Sequence, residues 1–171
     1  MKSDYYERKI NDIISKCPIE AGVEILVYML LDEIVNAPDI SQVDIDRIWK
    51  DSDMRLTTDA GISDIAVLSS DFQYQSEVGE VYGFIEVKAT SVSLDETEQI
   101  SGQMKEVENY IFTNGLVWRI YKKGLMKKEI ILFKYNNKNV YKVLKRCEVN
   151  IEKEQFETLL GEIKEINWNN K

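Results

Sequence analysis

Glu86 and Lys88 stand two residues apart in Gly83-Phe84-Ile85-Glu86-Val87-Lys88-Ala89, a run otherwise apolar enough to form a β-strand. Successive side chains of a strand point to opposite faces, so Phe84, Glu86 and Lys88 share one face and Ile85 and Val87 the other. Upstream, Asp64 opens a second apolar strand, Asp64-Ile65-Ala66-Val67-Leu68. If the two strands pair antiparallel through the turn segment 70–80, Asp64 and Glu86 converge. Two converging carboxylates suit Mg²⁺, a hard cation that takes a few carboxylate oxygens and keeps several waters, with Mn²⁺ as a substitute. Such an ion would lower the pKa of a bound water and neutralise charge on a phosphate. Lys88 could orient the attacking water or stabilise the phosphate as a point charge. On spacing alone the plainer reading is a salt bridge on an edge strand, and both readings stay open here.

The elements that must position these residues follow from periodicity. Residues 4–16 read as a first helix, Pro18 breaks it, and Glu20–Val35 form a stronger one. Its stripe of Val23, Leu26, Val27, Leu30, Leu31 and Ile34 has helical spacing. Ile40–Trp49 reads as a short helix or turn. Met54–Thr58, Ser63–Ser69 and Val81–Ala89 read as strands separated by polar turns, in which Asp59 and Asp71 are turn residues. Residues 95–109 form a polar helix weakened by Gly102, with Asp95, Glu96 and Glu98 at its start, where anions suit the dipole. Tyr110–Thr113, Leu116–Lys122 and Glu129–Tyr135 read as strands, with tight turns at Asn114-Gly115 and Gly124. Asn136-Asn137 turns into a strand at Val140–Leu144, and Glu152–Ile166 closes the chain as a helix. The order implies an α/β (α+β) fold, a central mixed sheet flanked by helices, in one domain over 1–171.

The acid followed by Glu86-Val87-Lys88 resembles the PD-(D/E)XK nuclease superfamily, whose core carries an acid and then an E-x-K tripeptide. The segment Ile111–Tyr121 is similar to the TNG-x-x-W-x-x-Y stretch of one branch, the N-terminal nuclease domain of type I restriction enzyme R subunits and related stand-alone proteins. There a helix with a Q-x-x-x-Y signature precedes it. Here Gln99 falls 14 residues before Thr113, and Gln103 stands where that branch has tyrosine. Ser63 stands where the superfamily often has proline. The resemblance covers roughly residues 20–135. It implies a restriction-endonuclease-like core and an Mg²⁺-dependent DNA endonuclease of restriction, mobile-element or repair biology, leaving a 5′-phosphate. Asp64, Glu86, Lys88 and Gln99 would be its catalytic residues. Asp64, Glu86, Val87 and Glu24 would be its metal ligands, with Glu20, one turn before Glu24, as the other candidate from the first helix. A solvated helix flank remains the plain alternative for both glutamates. Trp118 and Tyr121 read first as packing residues.

Composition narrows the classes further. Without a single histidine, a Cys/His zinc site and a Ser-His or Cys-His nucleophilic pair are excluded. Cys17 and Cys147 read as reduced thiols of a cytoplasmic protein, Cys17 partly buried. The opening MKSDYYERKI is not a signal peptide, and the apolar run Val23–Leu31 is too short for a membrane span. There is no P-loop or helicase motif, so translocation on DNA would need a helicase or translocase partner. The oligomeric state stays open, a dimer included. Acids outnumber bases 30 to 22, a net charge of −8, which argues against a protein that coats nucleic acid unaided. Lys122, Lys123, Lys127 and Lys128 form either a solvated hairpin or a phosphate-contacting patch. The competing function is therefore a catalytically silent, nuclease-fold binding or assembly protein, against which the intact acid and E-x-K set speaks.

Overall fold

Helix α1 (Ser3–Lys16) buries Tyr6, Ile10 and Ile14, four residues apart on one face, as an amphipathic helix must. After the interruption at Pro18, α2 (Glu20–Ile34) buries Val23, Leu26, Val27, Leu30 and Leu31, the stripe expected from its spacing. A computed structural model of the chain describes residues 1–35, 37–48, 53–134 and 147–169. Tyr6 ties the helices to the sheet: its hydroxyl donates to the Gly115 carbonyl at 2.6 Å. Its ring meets Phe156 at a centroid distance of 5.1 Å. Phe156, Leu159 and Ile163 are the buried stripe of the last helix, α4 (Lys153–Lys164).

Six strands form one sheet in chain order: β1 (Ile40–Asp44), β2 (Ile65–Ser69), β3 (Val81–Val87), β4 (Asn109–Thr113), β5 (Val117–Lys122) and β6 (Leu125–Ile131). All neighbours are antiparallel except β3 and β4, which run parallel and are joined through α3 (Glu98–Glu106). A parallel pair needs such a crossover, because a hairpin cannot reverse the chain twice. This α+β architecture, a six-stranded mixed sheet flanked by four helices, agrees with the restriction-endonuclease-like core expected from the sequence. The β4–β5 turn falls on Asn114-Gly115, with Gly115 at φ +80°. The Asn114 side chain accepts from the amides of Leu116 and Val117, which fixes the turn. Gly102 has a use in α3 that its low helix propensity conceals. A Cβ there would come within 2.5 Å of the Ala60 methyl, so glycine lets the helix close on the turn at Asp59 and Ala60.

Several elements differ from the sequence reading. Ile40–Asp44 is an outer strand rather than a helix or turn, because it pairs with β2 and Gln42 exchanges two hydrogen bonds with Tyr28. Trp49 lies outside the described residues. Met54–Leu56 is one turn of 3-10 helix instead of a strand, since the Asp53 carboxylate caps it by accepting from the Arg55 amide. The strand expected at Glu129–Tyr135 begins at Leu125 and ends at Ile131, and the helix expected over 95–109 is trimmed to Glu98–Glu106. The expected strand at Val140–Leu144, the turn at Asn136-Asn137 and Tyr135 lie outside the described residues. Cys17 is exposed, not partly buried. Among the described residues no helix is long and apolar enough to cross a membrane.

Candidate metal centre

The pairing of β2 with β3 sets the site. Ile65 lies opposite Ile85 and Ala66 opposite Phe84, so Asp64, one residue before β2, stands at the level of Glu86. The ladder ends there in an unusual way: the Asp64 carboxylate accepts the Val87 amide proton, replacing a backbone partner. The Asp64 carbonyl meanwhile accepts from Ile45 at 2.8 Å, so its backbone is fixed from the β1 side. On the other flank the Lys88 amide donates to Thr113, extending the β3–β4 pairing past the end of β3. Each of the three residues is thus held by main-chain bonds of the sheet.

Both acids are buried, Glu86 4% and Asp64 7% exposed. Lys88 reaches back along its own face and donates to Glu86 Oε1 at 2.8 Å. It also lies 3.6 Å from Glu20 at the start of α2. Burial pushes the Asp64 carboxyl up to about 8, and the charge of Glu86 adds to this, against the Val87 amide and Lys88. Glu86 is raised too, again chiefly by burial, which outweighs its bond from Lys88. Burial alone would lower the Lys88 ammonium, but Glu86, Asp64 and Glu20 together raise it, so the lysine stays charged. Burial raises both carboxyls, and the charge of Glu86 raises Asp64 further, beside a fixed cation; such an arrangement suits an added positive charge.

The donor set fits a hard divalent cation. Glu86 Oε2 is buried and has no hydrogen-bond partner, and a buried acceptor without a donor calls for an ion or water. Among the described residues no group of three or more acidic, cysteine or histidine side chains is gathered for a metal. An ion here would therefore rest on two carboxylates and keep waters in the remaining positions, as Mg²⁺ does. Val87 could add only its backbone carbonyl, its amide being engaged by Asp64.

Both helix candidates for a further acid lie on the side of the site, one turn apart on α2. Glu20 approaches Lys88, whereas Glu24 is close enough for its charge to raise Asp64. Glu24 is itself raised by partial burial and then by Asp44, Asp46 and Glu20. Gln99 is exposed on α3, its amide nitrogen beside the turn at Gly61. Gln103, one turn later, is fully buried and accepts the Tyr110 hydroxyl at 2.8 Å. This pair was not foreseen from the sequence; the apolar flanks of Tyr110 signalled a strand but not its face. Trp118 and Tyr121 pack in the core as expected. Of the lysine run, Lys122 and Lys123 pair with Glu108 and Lys128 with Glu162, which favours the solvated hairpin.

No family model and no curated protein matches the chain. A solved structure does: a chain of the cryo-electron-microscopy structure of a DrdV–DNA complex superimposes with a TM-score of 0.59 over 96% of this chain, at 14% identity. The two chains share a fold. At that identity the likeness concerns the fold alone, and this chain spans about 14% of the length of the chain it matches.

Proposed function

We propose that the chain is a metal-dependent nuclease module that hydrolyses the phosphodiester backbone of DNA. The observation that carries this reading is the convergence of Asp64, Glu86 and Lys88 at the ends of two paired strands, with one buried carboxylate oxygen unpartnered. DNA as the polymer is supported by the DNA-bound state of the structural neighbour. Mg²⁺ held by Asp64, Glu86 and the Val87 carbonyl would neutralise phosphate charge and lower the pKa of a coordinated water. The chain's own part is positional. Asp64 is fixed by the Val87 amide and Glu86 by Lys88, so neither carboxylate has to reorganise. Lys88, charged throughout the neutral range, meets the negative charge that builds on a phosphate under attack. Glu20 or Glu24 would assist from α2, and Gln99 from α3.

The surroundings oppose unaided approach of DNA. Glu20, Glu24, Asp44 and Asp46 act on the site or on one another, against Lys88 and Arg47. A protein partner with a basic surface, such as a helicase or translocase, fits a module of restriction, mobile-element or repair biology with a net charge of −8. The test is incubation of the wild type and Lys88→Ala with supercoiled, linear and branched DNA in Mg²⁺ or Mn²⁺. Cleavage by the wild type and its loss in the variant are expected. Cleavage undiminished in Lys88→Ala, or DNA bound but never cut, would favour the silent binding or assembly protein.

A further inference from the structure

Helix α2 is apolar on two sides. Its stripe from Val23 to Leu31 lies in the core. Ala21, Ile25 and Met29, at intervals of four, form a second ridge that faces outwards. Ile25 is 63% and Met29 44% exposed. Single exposed apolar residues are ordinary, but these two continue into a groove of about 490 Å³ between α1 and α2, which Ile13, Ile19 and Leu26 also line. A continuous apolar patch of this kind marks a place where another surface docks.

The ridge separates two flanks of opposite charge. On the α1 side the groove carries Lys9 and Lys16 against one acid, Asp12, which is bonded to Lys16 at 2.5 Å. Arg8 adds to this edge: its guanidinium and the Lys9 ammonium share the Tyr5 ring, 5.3 Å and 5.6 Å from its centroid. On the other side Ile25 and Met29 line a second, smaller hollow with Tyr28, Glu24 and Asp44. That hollow has two acids and no cation in its lining. Partial burial raises the Glu24 carboxyl, and Asp44, Asp46 and Glu20 raise it further, against Arg47.

We propose that the outer ridge of α2 is a two-fold interface between two copies of this chain, with Ile25 and Met29 at the axis. A two-fold axis normal to the ridge exchanges its two sides. The basic flank of one copy then covers the acidic flank of the other, and the reverse contact forms at the same time. A partner of uniform charge would match one flank and repel the other, whereas a second copy matches both. Lys9 of the partner subunit comes to the side of Glu24 and Asp44, where the hollow lacks positive charge. Each copy carries a net charge of −8, so long-range repulsion opposes the encounter. The apolar ridge therefore supplies the attraction, and the flanks fix the orientation.

The test is sedimentation velocity across the micromolar range on the wild type, Ile25→Glu, Lys9→Glu, Asp44→Lys and an equimolar mixture of the last two. The readout is mass, so it is independent of metal binding and of cleavage. The wild type is expected to form a dimer, and Ile25→Glu to weaken it at least about 10-fold. Ile25 is mostly exposed and glutamate is a good helix former, so the variant should keep its circular dichroism spectrum. Lys9→Glu and Asp44→Lys each set like charges against each other at both symmetric contacts, and each alone should be monomeric. Mixed, they restore opposite charges at both contacts, and the dimer should return. A wild type that stays monomeric throughout, or a dimer that Ile25→Glu leaves intact, would overturn the proposal. A dimer indifferent to both charge reversals, or a mixture that fails to associate, would overturn it as well.

Discussion

Replacing Asp64 by asparagine should make the metal-free protein more stable at pH 8 and leave it nearly unchanged at pH 5. The carboxyl is held up at about 8 in the folded protein, against 3.8 when unfolded. Between those values the unfolded chain releases its proton while the folded one keeps it. Stability is therefore fully present only below about 3.8 and is lost as pH rises towards 8. At about 1.4 kcal/mol for each pH unit, the ceiling over roughly four units is about 6 kcal/mol. Asparagine has the same shape and can still accept the Val87 proton through its oxygen. At pH 8, where the folded carboxyl is about half ionised, exchanging it for a neutral acceptor costs about 1 kcal/mol, and relaxation of Glu86 and Lys88 removes more of the ceiling. A gain of about 2–3 kcal/mol at pH 8 remains, which for a chain of this size is about 5–10 °C in melting temperature. At pH 5, little more than one unit above the unfolded value, the pH contribution is under about 2 kcal/mol and relaxation takes up most of it. Differential scanning calorimetry in EDTA at both pH values reads this directly. Equal destabilisation of Asp64→Asn at pH 5 and pH 8 would refute the electrostatic picture of the site.

Further expectations concern the same residues and their supports. Mg²⁺ at 100 times its Kd should stabilise the wild type by about 2.7 kcal/mol and leave the melting temperature of Asp64→Asn unmoved; equal shifts in both would put the ion elsewhere. Lys88→Ala should still bind Mn²⁺, measured by calorimetric titration, while cleavage falls about 10²–10³-fold. Lys88→Arg should recover little of that rate, because a planar fork does not reproduce a compact ammonium; full recovery would reduce the lysine to a mere counter-charge. In Gly83→Ala the new Cβ would come within 2.4 Å of the Asn109 carbonyl on β4. That clash should lower stability by about 1–3 kcal/mol in urea melts, and an unaffected midpoint would contradict the β3–β4 register.

What could be read from the sequence was what depends on local period. The α2 stripe and the alternation along Phe84–Lys88 each fix a face, so the meeting of Asp64 and Glu86 needed only the assumption that β2 and β3 pair antiparallel. The polar strand Ile40–Asp44 was hidden because Ser41, Gln42 and Asp44 carry no strand preference, and its form comes from β2 and Tyr28. Asp53 and Arg55 made Met54–Leu56 a capped turn through one side-chain bond that apolar content does not signal. The choice between Glu20 and Glu24 could not be made from helical spacing, since residues four apart share a face, and both indeed point to the site. Least legible was Tyr110 beside Gln103, which depends on a parallel register set across a crossover of some twenty residues.

The central claim is that Asp64 and Glu86 together form one metal site. Anomalous diffraction from crystals soaked in Mn²⁺ tests it most directly, because the signal marks the ion and its ligands at once. One peak is expected, bridging the two carboxylates about 2.0–2.3 Å from an oxygen of each, within reach of the Val87 carbonyl. A peak elsewhere, or none between Asp64 and Glu86 while Mn²⁺ is bound in solution, would contradict it.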